Sequence, residues 1–195
     1  MMREIPILES ARLKIRPFLP TDLPDLFAIK QAIGWVDAAK TVEQQLLAEA
    51  DYLDWSVRNE RQLAQLYQPP YGDRAVVLQA TDQLIGSVGL VPCIDVYGQL
   101  PSLGGQANAL ATAEVGLLWL IDPAYQGQGY ASEAAQTLID YAFRAMRLQR
   151  LIATTEYDNL ASQAVMRKLG MTIERNPFPD PPWLQVVGIL PNPHP

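Results

Sequence analysis

From Asp122 to Ala134 the chain reads DPAYQGQGYASEA, a stretch whose chemistry lies in its backbone as much as in its side chains. Gly127 and Gly129 stand just ahead of an apolar rhythm of helical spacing that runs from Ala131 to Met146. Where that helix should begin there is no Ser, Thr, Asp or Asn in the capping position. Glycine lets a backbone take positive φ and come close to a ligand, so the N–H groups of such a turn can face outward. Open N–H groups at the positive end of a helix dipole form an anion site that suits phosphate oxygens. A bound diphosphate is therefore one answer to the missing cap. The other is that Gly127 belongs to a simple turn and Ser132 caps a helix starting one turn later.

The elements that must position this stretch can be read on either side of it. EVGLLWLI, from Glu114 to Ile121, is apolar on both alternating faces after its first residue, which predicts a central strand covered on both sides. RLIATTEY, from Arg150 to Tyr157, predicts another strand, so strand, helix and strand form a right-handed parallel crossover. Upstream, RLKIRPF sets Leu13, Ile15 and Pro17 against Arg12, Lys14 and Arg16, a half-buried strand. PTDLPDLFAIKQ reads as a helix start with Thr21 or Asp22 as cap and Pro24 in the first turn. A longer helical pattern runs from about Thr41 to Tyr67 and is stopped by the prolines of QPPYGD. RAVVLQA and QLIGSVGLV, joined by TD, predict a hairpin. Residues 97–112 lose all periodicity and are expected to form a flexible loop. NLASQAVMRKLGM predicts a helix that Gly170 ends as a left-handed cap. MTIE and WLQVVGIL then predict two closing strands on either side of NPFPDPP, with residues 191–195 as a frayed tail that carries His194.

Composition narrows the function. At 195 residues a single domain with a substantial core is expected. One cysteine, Cys93, and one histidine, His194, exclude an internal disulfide and argue against a metal cluster or a Cys-His dyad. A net charge of −6 argues against nucleic acid and anionic membranes as partners and suits a cationic one. The apolar run LLWLI is far shorter than the ~20 residues that span a bilayer, and the amino terminus carries no export signal, so the cytoplasm is the expected location.

The order of residues around the glycines is more specific than a loose turn. DPAYQGQGYASEA resembles the acyl-coenzyme A signature of the GNAT acetyltransferase superfamily, with Gln126, Gly129 and Ala131 at its key positions. EYDNLASQAVMRKLGM is similar to the second half of the coenzyme site in the branch that acetylates ribosomal-protein amino termini, with Asn159, Ser162 and Gly170 in place. The third glycine of a dinucleotide-binding fingerprint is replaced by Ser132, which speaks against that fold. The resemblance implies an α/β (α+β) fold: a mixed, mostly antiparallel sheet with one parallel strand-helix-strand crossover and helices on both faces.

It also implies an acetyl-CoA dependent N-acetyltransferase that moves an acetyl group directly to a primary amine, either a protein N-terminus or a small cationic amine. A non-catalytic acyl-CoA binding or sensing module is the alternative. Backbone N–H groups of Gln126, Gly127, Gln128, Gly129, Tyr130 and Ala131 would hold the diphosphate. Main-chain groups of Trp119, Leu120 and Ile121 would pair with the pantetheine arm, as an added strand pairs with a sheet edge, provided their strand splays from its parallel neighbour.

Direct transfer needs no enzyme nucleophile and no metal, only a held acceptor, a proton route and donors for the developing oxyanion. Glu114 stands near where related enzymes keep a carboxylate that receives the amine proton, usually through water; its other reading is a solvated carboxylate at a strand end. Asn159 reads both as helix cap and as a contact to the coenzyme arm. Ser162 reads both as a proton donor to the leaving thiolate and as a local backbone partner, so the acid is Ser162, water or none. Relatives often carry a tyrosine acid four residues before the glycine that ends this helix, but here the residue is Met166, and Tyr157 and Tyr130 lie elsewhere. Arg167 and Lys168 could reach coenzyme phosphates but read as solvated charges. The resemblance implies an acceptor pocket built from Ile33 to Tyr71, the loop from Tyr97 to Thr112 and NPFPDPP; Trp35, Trp55 and Trp183 could line it, although burial is the expected state of a tryptophan.

Overall fold

The computed structural model describes residues 5–69 and 71–193, and the chain forms two compact units. The first comprises Met1–Gly89 with Trp119–Leu138, and the second Leu90–Leu118 with Ile139–Pro195. His194 lies outside the described residues. Eight strands follow the order β1-β2-β3-β4-β5-β6-β8-β7 in one mixed sheet.

In the first unit, β1 (Leu8–Glu9) and β2 (Leu13–Arg16) pair antiparallel, Leu8 opposite Ile15. The alternation in β2 works as expected: Leu13 and Ile15 are fully buried while Lys14 and Arg16 are only partly so. Asp22 does not cap α1 (Leu23–Ala32) through its side chain. Its carboxylate instead receives two guanidinium bonds from Arg16, at 2.7 and 2.8 Å, and one from the Leu19 N–H at 2.8 Å. Thr41 does cap α2 (Val42–Gln65), in a reciprocal box with Gln44. β3 (Gly72–Leu78) and β4 (Leu84–Cys93) follow as the expected pair. Phe18, Leu26, Ile29, Leu53, Ala75, Val77, Leu84 and Leu120 form the core of this unit.

β5 (Glu114–Ile121) ends in this first unit and leads through a short 3-10 turn (Pro123–Tyr125) into α3 (Tyr130–Arg144). Ala134, Ala135, Leu138, Ile139 and Ala142 repeat at three- and four-residue steps and are buried, which is why this segment is a helix with one apolar stripe.

The second unit holds β6 (Arg150–Thr155), α4 (Leu160–Lys168), β7 (Thr172–Arg175) and β8 (Val186–Pro191). β6 pairs antiparallel with β8 along its whole length, from Arg150 opposite Pro191 to Thr155 opposite Val186. Its parallel pairing with β5 is confined to Gly116 opposite Ile152.

Within residues 97–112, 3-10 turns cover Tyr97–Gln99 and Pro101–Leu103, and Tyr97 and Leu100 pack with Ile152, Leu184, Val187 and Ile189. Small-residue composition hid the two apolar anchors. Of the tail, residues 191–193 are described: Asn192 is buried, its N–H donates to Gln149 O at 2.8 Å and its Nδ2 donates to Leu148 O at 2.9 Å.

Candidate active site

The turn after β5 is built from Asp122 onward. Asp122 Oδ1 accepts the Ala124 N–H at 2.9 Å and starts the 3-10 turn, and the Gln126 N–H closes it on Pro123 O at 3.3 Å. Gln126 then turns its side chain back, with Nε2 donating to Ile121 O at 2.8 Å. Gly127 and Gly129 take φ of +74° and +84°, conformations that favour glycine. Among the described residues, the N–H groups of Gly127, Gln128, Gly129, Tyr130 and Ala131 have no partner in the protein. The Glu133 N–H is the next to be satisfied, on Gly129 O at 3.0 Å. The helix therefore starts with an open row of donors at its positive end.

The Gln126 N–H closes the 3-10 turn, and the Ile121 carbonyl accepts from the Gln126 side chain. The signature glutamine thus joins the strand end to the turn.

Sequence reading missed a second layer. Glu133, in the first turn of α3, accepts from Ser10 Oγ at 2.7 Å, from the Arg12 N–H at 2.9 Å and from Arg12 Nε at 2.7 Å. Burial pushes the Glu133 carboxyl up, but these bonds outweigh it and hold it below the usual carboxylate range. Arg12 Nη2 also donates to Gln128 O at 3.1 Å, and the guanidinium carbon stands 4.2 Å from the centre of the Tyr130 ring. Nothing in the sequence joins residues 121 positions apart; the only local signal is an acidic residue in a first helical turn, which the dipole alone explains.

The second unit places Glu114 and the α4 residues. Glu114 is buried at the head of β5, with Arg150 donating to both of its oxygens, through Nε at 2.6 Å and through Nη2, and Thr112 Oγ1 donating at 2.6 Å. The bonds to Glu114 raise the Arg150 guanidinium above its usual value despite burial. Three donors on its two oxygens tie this carboxylate to Arg150 and Thr112. Asn159 caps α4, its Oδ1 accepting the Ser162 N–H at 3.0 Å. The Ser162 side chain is half-buried. Met166 is fully buried, its sulfur 3.1 Å from where a Cβ on Gly188 would lie, so the usual position of the tyrosine acid belongs to the core. Tyr157 is exposed and its hydroxyl donates to Asn176 O at 3.4 Å. Arg167 and Lys168 are exposed.

The tryptophans are not buried as expected: Trp35, Trp55 and Trp183 are 56%, 50% and 46% exposed. Beside Trp55 in the first unit, the Tyr52 hydroxyl donates to Asp73 Oδ2 at 2.5 Å, and the Lys30 ammonium lies 3.8 Å from the Tyr52 ring centre. Burial raises both the Tyr52 phenol and the Asp73 carboxyl above their ordinary values. Among the described residues no group of His, Cys, Asp or Glu is arranged to hold a metal ion, and no helix is long and apolar enough to cross a membrane.

A mostly antiparallel sheet with one parallel strand-helix-strand crossover, and a helix that opens on bare amides after the central strand, is the layout of a coenzyme-dependent acyl transferase. The chain belongs to the acetyltransferase (GNAT) domain family, whose sequence model matches residues 12–172. It is 29% identical over 167 residues to the uncharacterized N-acetyltransferase YnaD of Bacillus subtilis, covering 86% of this chain and 83% of that one. Two solved structures share the fold. The ribosomal-protein-S5-alanine acetyltransferase of Vibrio fischeri superposes with a TM-score of 0.66 at 14% identity, over 97% of this chain and 98% of that one. The ribosomal L7/L12 alpha-N-protein acetyltransferase RimL, in complex with coenzyme A, superposes with a TM-score of 0.61 at 17% identity, over 95% and 96%. The chain is an N-acetyltransferase of this family.

Proposed function

We propose that the protein transfers an acetyl group from acetyl-CoA to a cationic primary amine, with a protein N-terminus as the acceptor class its structural relatives favour. The observation that carries the reading is the row of unsatisfied N–H groups from Gly127 to Ala131. Five donors at the start of α3 match a diphosphate, whose oxygens would complete the helix cap. Main-chain groups of Trp119 and Leu120 would pair with the pantetheine arm, and the single Gly116–Ile152 pair is in keeping with a β5 that parts from β6 to admit it.

In the transfer, the acceptor ammonium first gives one proton to water; the freed lone pair attacks the thioester carbonyl carbon, the C–S bond breaks, and the second amine proton passes to water. The departing thiolate takes a proton from the Ser162 hydroxyl, which water then reprotonates. Asn159 holds the turn of α4 from which that hydroxyl projects and lends polar contact to the arm. Glu114, locked to Arg150, serves as an anchor at the head of β5.

The test is calorimetric titration with acetyl-CoA, then thiol release against amines and peptides. Wild type is expected to bind, and Gly129→Val, which adds a branched side chain where φ is +84°, is expected to lose binding. Equal affinity in the variant overturns the reading. The buried Met166 favours one rival, an acyl-CoA sensor without turnover; sustained thiol release with any amine rules it out.

A further inference from the structure

We infer that Arg12 is a positioning residue for the coenzyme diphosphate: it fixes the peptide between Gln128 and Gly129 so that the Gly129 N–H points into the anion cradle. The inference rests on the proposed coenzyme site and adds a residue to it from the opposite end of the chain.

The geometry is that of one planar peptide. In a trans peptide the carbonyl and the following N–H point in opposite directions. Arg12 Nη2 donates to Gln128 O at 3.1 Å, so the carbonyl faces Arg12 and the Gly129 N–H faces away from it. Without that bond a glycine-flanked peptide can flip at little cost, because glycine populates both signs of φ. A flip would present a carbonyl oxygen to the diphosphate in place of a donor.

Arg12 is itself held in place. Glu133 engages both Nε, at 2.7 Å, and Nη2, at 2.6 Å, while also accepting the Arg12 N–H, and the Tyr130 ring lies against the guanidinium. The positive charge is already matched by Glu133. What Arg12 supplies is therefore direction, through a planar fork that serves a carboxylate and a carbonyl together. Lysine, with a compact ammonium, carries the same charge without the fork.

The experiment compares wild type, Arg12→Ala and Arg12→Lys by calorimetry with coenzyme A, with pantetheine as the probe that lacks the diphosphate, and follows the Gly129 amide by ¹⁵N NMR. The expected result is a coenzyme A dissociation constant about tenfold higher in both variants, pantetheine binding unchanged within about twofold, and loss of the coenzyme-induced shift of the Gly129 amide. The inference is overturned if Arg12→Ala binds coenzyme A like wild type, if Arg12→Lys restores affinity, or if coenzyme A and pantetheine weaken alike. Failure of wild type to bind coenzyme A would instead remove the proposed site itself, a distinguishable outcome.

Discussion

Removing either partner of the Glu114–Arg150 pair should destabilise the protein, but by unequal amounts. The Glu114 side chain is 2% exposed and that of Arg150 is 32% exposed. Arg150→Met strands a carboxylate in the interior with Thr112 Oγ1, at 2.6 Å, as its remaining side-chain donor. Breaking a buried pair from that side costs about 3–5 kcal/mol. At roughly 2–4 °C per kcal/mol for a chain of this size, the melting temperature should fall by at least about 6 °C. Glu114→Gln leaves a neutral amide that still accepts from Arg150 and Thr112, while water reaches the guanidinium, so the loss should be nearer 1–2 kcal/mol. Thermal and urea unfolding followed by circular dichroism reads both values, with an unchanged denaturant slope showing that the folded state is the same. A Glu114→Gln variant as unstable as Arg150→Met, or an Arg150→Met variant melting within about 2 °C of wild type, would refute the argument. If Glu114 were the proton acceptor after all, Glu114→Gln would lower kcat far beyond what its loss of stability explains.

Three further outcomes are expected. Ser162→Ala should lower kcat about tenfold with the KM for acetyl-CoA within about twofold, because the bond it makes to the leaving sulfur strengthens only as charge develops; a change confined to KM would assign Ser162 to binding alone. Gly188→Ala puts a Cβ 2.8 Å from Met171 Sδ and 3.1 Å from Met166 Sδ, and overpacking of this kind costs about 1–3 kcal/mol, to be read by urea unfolding. Because Glu133 is held below the usual carboxylate range, it contributes stability that is complete above its unfolded value of about 4.3 and is lost as pH falls through its folded value. The stability gap between wild type and Glu133→Gln should therefore narrow on acidification below about pH 4; a gap that widens there contradicts the assigned network.

Local signals made most of the fold legible. The period-two pattern of Leu13 to Arg16, the unbroken apolar run of β5 and the apolar stripe of α3 each correspond to an observed element within a residue or two. The helical pattern from about Thr41 corresponds to α2, which Thr41 caps. The two-residue strand β1 left no trace, since Leu8–Glu9 is too short to show a period. The packing of Tyr97 and Leu100 left no signal in residues 97–112, because isolated apolar residues in a run of small ones have no periodicity.

The candidate site was legible only as far as the backbone carries it. Two glycines and a missing cap indicated open amides, and the amides from Gly127 to Ala131 are open. Pairings across long sequence separations were not legible. That Arg150 would bind Glu114, or that Arg12 would reach Gln128 O, depends on which strands lie side by side, and a charge pattern does not encode that. Trp35, Trp55 and Trp183 were placed inside on hydrophobicity alone, although a large indole is often left half in solvent.

Gln99 ties together two segments far apart in the chain. Its Nε2 donates to Asp180 O at 2.9 Å, and its Oε1 accepts the Asn108 N–H at 2.9 Å. One buried amide thus sets the spacing of the 97–112 segment and the proline-rich turn after β7. Neither segment can be lengthened or reshaped without disturbing the other's hydrogen bonding, so the two can change shape only in concert or once that glutamine is gone.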